Sequence, residues 1–147
     1  MVKILVPIID NPNARDNDGE TPIHWAAKLS GSGEISTEVL KILVSLTDNP
    51  ITPSHSGCTP IRYAAFAGST EVLNILVPLT DKPNAPSHSG WTPIHSAAFN
   101  GWTEILKILA PLTDNPNAPD NVGRTPIKLA KEKGHTEFVR ILESFKN

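Results

Sequence analysis

Cysteine, long apolar runs and dense basic patches are the features that this 147-residue sequence has little of. The single cysteine, Cys58, excludes an internal disulfide, and no Asn-x-Ser/Thr glycosylation acceptor occurs. We therefore expect a reducing, intracellular location, cytoplasmic or nuclear. No run approaches the roughly 18 apolar residues of a membrane-spanning helix, and the start lacks the long apolar stretch of a signal peptide. We expect no membrane contact.

The charge is nearly balanced and is not concentrated. The formal net charge is −2, with five basic and eight acidic residues in the stretch 1–73 and eight basic and seven acidic residues in the stretch 74–147. Binding to a phosphate backbone needs clustered lysine and arginine. The sequence therefore argues against nucleic acid as a partner.

Catalytic and cofactor motifs are also missing. There is no glycine-rich phosphate loop, no Gly-x-Ser-x-Gly elbow and no pair of carboxylates on one helix face. The spacing His55-x-x-Cys58, with His88 one repeat later, supplies three possible metal ligands where zinc sites usually have four. We predict neither enzymatic activity nor a cofactor or metal.

The sequence contains one motif four times. Thr-Pro-Ile begins at Thr21, Thr59, Thr92 and Thr125, so the spacings are 38, 33 and 33 residues. A fixed period of this length indicates stacked repeats rather than one globular core. The longer first spacing places a five-residue insertion within residues 29–36, in a Gly/Ser-rich stretch.

The third repeat illustrates the local signals for its first helix. Ser87-His88-Ser89-Gly90 has the composition of a tight turn. Thr92 suits a helix N-cap and Pro93 suits the first helical position, where no amide partner is lost. The pattern predicts a short helix over residues 94–99, ended by Gly101.

A second helix follows in each repeat, with one broad apolar stripe. In the third repeat it begins at Thr103, and the stripe contains Ile105, Leu106, Ile108 and Leu109. Pro78 and Pro111 fall in what should be the last turn, where proline removes an amide donor and clashes with the preceding turn. We expect these helices to end or kink near Val77 and Ala110.

The sequence Gly-x-Thr-Pro-Ile-His-x-Ala-Ala, then Gly, then Thr-Glu-Ile-Leu-Lys-Ile-Leu, resembles the ankyrin repeat. The resemblance implies an all-α repeat solenoid of helix-turn-helix units, with projecting hairpin loops and a concave binding face. It also implies structural, hydrogen-bonding roles for His24 and His95. The predicted organisation is one domain, 1–147, made of a partial repeat (1–14), three repeats (15–52, 53–85 and 86–118) and a capping repeat (119–147).

Positions that vary between repeats are the candidates for recognition. Before the Thr they read Glu20, Cys58, Trp91 and Arg124, and after Ala-Ala they read Lys28, Phe66, Phe99 and Glu132. The resemblance implies that both sets face the concave groove. The predicted partner-binding site is therefore Trp91, Phe66 and Phe99, with Cys58, His55, His88, Ser89 and Asn100 around them. Two alternatives stay open for the rings: Phe66 and Phe99 form an interface, or they only pack on each other. Trp25 and Tyr63 are expected to pack between repeats.

The favoured function is a non-catalytic scaffold that binds another protein. A structural spacer within a longer array, or the targeting domain of a larger enzyme or channel, is the alternative. Acidic residues near one end of the chain and basic residues near the other predict weak, salt-sensitive end-to-end self-association; they are Asp16, Asp18 and Glu20, and Arg124, Lys128, Lys131 and Lys133.

Overall fold

The computed structural model describes residues 11–30 and 37–145, and within them it contains eight α-helices and no β-strand. The helices are α1 (Pro22–Leu29), α2 (Thr37–Leu46), α3 (Pro60–Ala67), α4 (Thr70–Leu76), α5 (Pro93–Asn100), α6 (Thr103–Leu109), α7 (Pro126–Glu132) and α8 (Thr136–Ser144). The predicted all-α repeat architecture is confirmed. Most of the predicted partial repeat, and most of the insertion in the first repeat, lie outside the described residues.

The helices form two layers. The first helices of the four repeats, α1, α3, α5 and α7, pack side by side, and the second helices α4, α6 and α8 line up behind them with α2 at one end. Small residues let the first helices approach closely: each carries alanines that are almost fully buried, Ala26, Ala27, Ala64, Ala65, Ala97, Ala98 and Ala130. Leucine, isoleucine, valine and one phenylalanine from the second layer complete the core.

The first helix of the third repeat begins as the motif predicts. Thr92 caps α5, because its Oγ1 accepts from the amide of His95 at 3.1 Å, and Pro93 occupies the first turn. Gly101 then ends the helix in a left-handed conformation, φ 77°, which costs a residue without a Cβ little. A side chain from the preceding loop adds a further cap, since Asn84 Oδ1 accepts from the amide of Ile94 at 2.9 Å.

Proline decides where the second helices end. Helix α4 ends at Leu76 and continues as a 3₁₀ turn, Val77–Leu79, and α6 ends at Leu109 before the 3₁₀ turn Ala110–Leu112. The expected ends near Val77 and Ala110 are confirmed. Helix α2, with Ser45 in place of proline, stays α-helical to Leu46.

The turns before the first helices form a row along one side of the stack. Each is closed by its own backbone bonds, such as Ser87 N–H to the Trp91 carbonyl at 2.9 Å. One further backbone bond joins each turn to the next, as from the His88 amide to the Ser56 carbonyl at 2.9 Å. A membrane-crossing helix is not found among residues 11–30 and 37–145, where every helix is too short or too polar.

Candidate functional site

Three aromatic rings meet where the second and third repeats adjoin. Phe66, at the end of α3, stacks on Phe99 of α5 with ring centroids 6.2 Å apart, and Trp91 meets Phe99 edge-on at 6.4 Å. Trp91 and Phe99 are half-buried, whereas Phe66 is 46% exposed. We call these three residues the aromatic surface. Phe66 and Phe99 do pack on each other, as one alternative held, yet nearly half of Phe66 remains exposed.

Trp91 is held in place by its own repeat. Its indole Nε1–H donates to Ser96 Oγ at 2.8 Å, and its ring lies 5.1 Å from the imidazole of His95. The guanidinium of Arg124, from the next repeat, lies over the Trp91 ring at 5.2 Å from its centroid. With its polar atom satisfied and its ring supported, Trp91 presents a fixed apolar edge.

The backbone carbonyl of Phe66 joins the second repeat to the third by two hydrogen bonds. It accepts from Asn100 Nδ2 at 2.7 Å and from the Trp102 indole Nε1 at 2.9 Å. Asn100, predicted as part of the rim, thus adjoins the aromatic surface and fixes its backbone. Trp102 was not predicted, although one signal pointed to it: the position before each second helix varies, reading Ser69, Trp102 and His135 in the last three repeats.

The predicted turn residues contact the turns of neighbouring repeats. His55, His88 and Ser89 are exposed. The His88 ring lies so close to Gly57 that a Cβ there would be 2.7 Å from it, and His55 lies on Gly19 in the same way. These imidazoles therefore cover the preceding turn, and their outer edges face solvent.

Cys58, predicted as a site residue, is buried with 7% exposure. Its Sγ accepts from Ser56 Oγ at 3.4 Å, and its carbonyl accepts from His24 Nε2 at 2.8 Å. The thiol therefore lies beneath the surface rather than on it, and we leave it out of the binding surface proposed below.

Two sequence-based expectations for the first repeat are wrong. Glu20 does not face an open groove: it is 4% exposed, bound to Lys28 Nζ at 2.5 Å and to the hydroxyl of Tyr63. Trp25, expected between repeats, is 44% exposed, and its indole donates to Asp16 in its own repeat. The buried carboxylate of Glu20 needs polar partners, and Lys28 and Tyr63 supply them. Burial and the bond to Glu20 raise the pKa of Tyr63.

Acidic side chains of the first turn form one compact group. Ligand atoms of Asp16, Asp18 and Glu20 lie within 4.8 Å of one another. Asp16 Oδ1 accepts from the amides of Asp18 and Glu20, both at 2.9 Å. These backbone donors, chiefly the Glu20 amide, lower the pKa of Asp16. The two amides thus hold the Asp16 carboxylate within the turn.

The two buried histidines have the structural role that the resemblance implied. His24 Nδ1 accepts from the Thr21 amide at 3.0 Å, and His95 Nδ1 accepts from the Thr92 amide at 3.1 Å. Their Nε2 atoms reach carbonyls of the next repeat at 2.8 Å, so each ring is neutral with its proton on Nε2. Burial is the main cause that lowers the pKa of both rings.

Comparison with known proteins agrees with this architecture. A family model described as ankyrin repeats, in three copies, matches residues 1–86 and again residues 79–146. A comparison with curated proteins returned no match to the chain. Ankyrin repeats generally mediate protein–protein interaction, and the family is typically non-catalytic. Because the family model covers almost the whole chain, this protein belongs to the ankyrin repeat family.

Proposed function

We propose that the chain binds another protein through the aromatic surface of its second and third repeats. The observation that carries this proposal is the exposure of Phe66, which is 46% exposed although its ring stacks on that of Phe99. A phenylalanine buries about 150–250 Å² when fully covered. A partner that covers the exposed half of Phe66 therefore gains about 2 kcal/mol from this ring alone.

The hydrogen bonds to the backbone of Phe66 support the same function. Phe66, Trp91 and Phe99 lie on or beside two short helices joined by the bonds from Asn100 and Trp102, so their positions are fixed before a partner arrives. A preorganised surface loses little conformational entropy on binding. We assign the exposed turn residues His55, His88 and Ser89 to its rim, since an apolar centre with a polar rim is typical of interfaces.

The test compares two apolar residues of similar exposure on different layers. Phe66 lies on a first helix, and Leu112, 49% exposed, lies on the 3₁₀ turn after a second helix. Partners captured by the unmodified protein should lose about 2 kcal/mol or more of affinity with Phe66→Ala and keep it with Leu112→Ala. Unfolding of each variant in urea checks that both remain folded.

Two outcomes would contradict the proposal. Equal binding by the unmodified protein and Phe66→Ala would remove the aromatic surface from recognition. The absence of any saturable partner would favour the alternative that the stack is a spacer. Trp91→Ala is a less clean probe, since Trp91 also bonds Ser96 and packs on His95.

A further inference from the structure

Cations of this chain lie over the aromatic rings of the first-helix layer. Lys28 Nζ lies 4.5 Å from the Trp25 ring centroid and 4.7 Å from that of Tyr63. Arg124 covers Trp91 at 5.2 Å, and Lys133 Nζ lies 4.4 Å from the centroid of Phe99. Each contact is an attraction between a positive charge and the negative face of a ring.

These cations differ in their carboxylate partners. Lys28 is bound to the buried Glu20, and Arg124 Nε is bound to Asp120 Oδ2 at 2.7 Å, where the Asp120 side chain is fully buried. In both pairs the carboxylate is buried and the cation reaches the surface. A partner gains little by offering a carboxylate to either cation, because each already has one that solvent does not reach.

Lys133 is placed differently. It follows the last residue of α7, and its exposed side chain extends back over Phe99 in the preceding repeat. Glu132 precedes it, but consecutive residues at a helix end do not face each other. The next carboxylate along the chain, Glu137, is paired with Arg140. The positive charge therefore stands at the edge of the aromatic surface, on the side of the last repeat.

Resting on the function proposed above, we propose that the partner is an acidic segment, which places an apolar side chain on Phe66 and Phe99 and a carboxylate on Lys133. Once the segment covers Phe99, the carboxylate and the Lys133 ammonium lie in a partly desolvated environment, where the pair is stronger than in bulk water. A basic segment would meet like charge at the same point, and such repulsion contributes to specificity. In the opposite orientation the carboxylate of the segment would point toward the first repeat. The exposed carboxylates Asp16 and Asp18 of that repeat would repel it.

The experiment selects peptides from a random display library on the unmodified protein. Each selected peptide is synthesised as found and with its Asp and Glu changed to Asn and Gln. Affinities are measured by fluorescence anisotropy for the unmodified protein and for Phe66→Ala, Lys133→Glu and Lys131→Glu. Lys131 is the matched control, because it is an exposed lysine on the same helix that covers no aromatic ring in the part of the chain described.

Peptides whose binding depends on Phe66 are expected to be acidic. Lys133→Glu should weaken them about tenfold, Lys131→Glu should have a much smaller effect, and the neutralised peptides should be insensitive to Lys133→Glu. Lys133→Met, which keeps the apolar stem over Phe99, should weaken binding less than Lys133→Glu but in the same direction. A peptide with lysine in place of its carboxylates should regain affinity for Lys133→Glu.

The outcomes separate this inference from the function on which it rests. Phe66-dependent peptides that are neutral or basic, or equal effects of Lys133→Glu and Lys131→Glu, would overturn the acidic partner and leave the binding surface standing. If no peptide is selected, or none depends on Phe66, both the surface and the acidic partner are overturned.

Discussion

Replacing Arg62 by histidine should stabilise the protein, because the second repeat lacks the cap that the first and third repeats share. In those repeats the histidine of the motif bonds the N-cap threonine and a carbonyl of the next repeat. In the second repeat Arg62 stands in that position. Thr59 Oγ1 and Arg62 Nε are both buried there without a hydrogen-bond partner, and α3 has no side-chain cap.

The magnitude follows from the bonds that histidine would form. Restoring the threonine cap contributes about 1 kcal/mol, and a bond from Nε2 to the Trp91 carbonyl contributes about 1 kcal/mol more. Trp91 is the right acceptor, since its carbonyl matches those of Cys58 and Arg124 in accepting an amide within its own turn. The lost contact of Arg62 with the Tyr63 ring, at 5.4 Å, offsets about 0.5 kcal/mol. We expect a net gain of about 1.5 kcal/mol.

Urea unfolding at neutral pH measures the gain as a higher midpoint at unchanged slope. Two threonine variants serve as internal controls. Thr92→Ala should cost about 1 kcal/mol, whereas Thr59→Ala should cost clearly less in the unmodified protein and about as much as Thr92→Ala once residue 62 is histidine. A neutral or destabilising Arg62→His, or equal costs of the two threonine variants, would refute this account of the cap.

Two further predictions concern pH and backbone strain. Because burial lowers the pKa of His24 and His95 below the ordinary 6.5, the unfolded chain takes up protons first as the pH falls. The free energy of unfolding should therefore be steady above about pH 7 and decline as the pH falls below it, and His95→Gln should make the decline measured by urea unfolding shallower. Gly68→Ala should destabilise the protein by about 1–2 kcal/mol more than Gly123→Ala: both glycines have positive φ, but a Cβ at Gly68 would lie 2.6 Å from the Trp102 ring, whereas the space around Gly123 is open. Equal losses of unfolding free energy in the two alanine variants would show that the Trp102 ring moves aside at little cost.

The sequence allowed the helix pairs and their ends to be predicted, because each depends on local chemistry. A Thr-Pro pair such as Thr92-Pro93 precedes or begins the first helix of every repeat, and Pro78 ends a second helix by removing an amide donor. The burial of Glu20 and Cys58 could not be predicted in this way. Both occupy a position that varies between repeats, and variation alone does not distinguish an exposed side chain from a buried one whose partners have changed with it.

The aromatic surface was predicted only in part for a similar reason. Its three rings were named from their positions in the repeat, but the contacts that define it cross between repeats at long sequence separation. Trp102 bonds the carbonyl of Phe66 from 36 residues away, and Lys133 covers Phe99 from the next repeat. Such contacts depend on side-chain length and direction, which a repeat alignment within one sequence does not give.

The most direct test of the binding surface uses the three tryptophans as reporters. Trp91 belongs to the surface, Trp102 bonds the carbonyl of Phe66, and Trp25 lies in the first repeat against Lys28. In ¹⁵N-labelled protein each indole Nε1–H gives its own NMR signal, which can be followed while a bound peptide or protein is titrated. Our account predicts that the Trp91 signal shifts most, that Trp102 follows and that Trp25 stays in place. A titration that moves Trp25 and leaves Trp91 and Trp102 unchanged would contradict it.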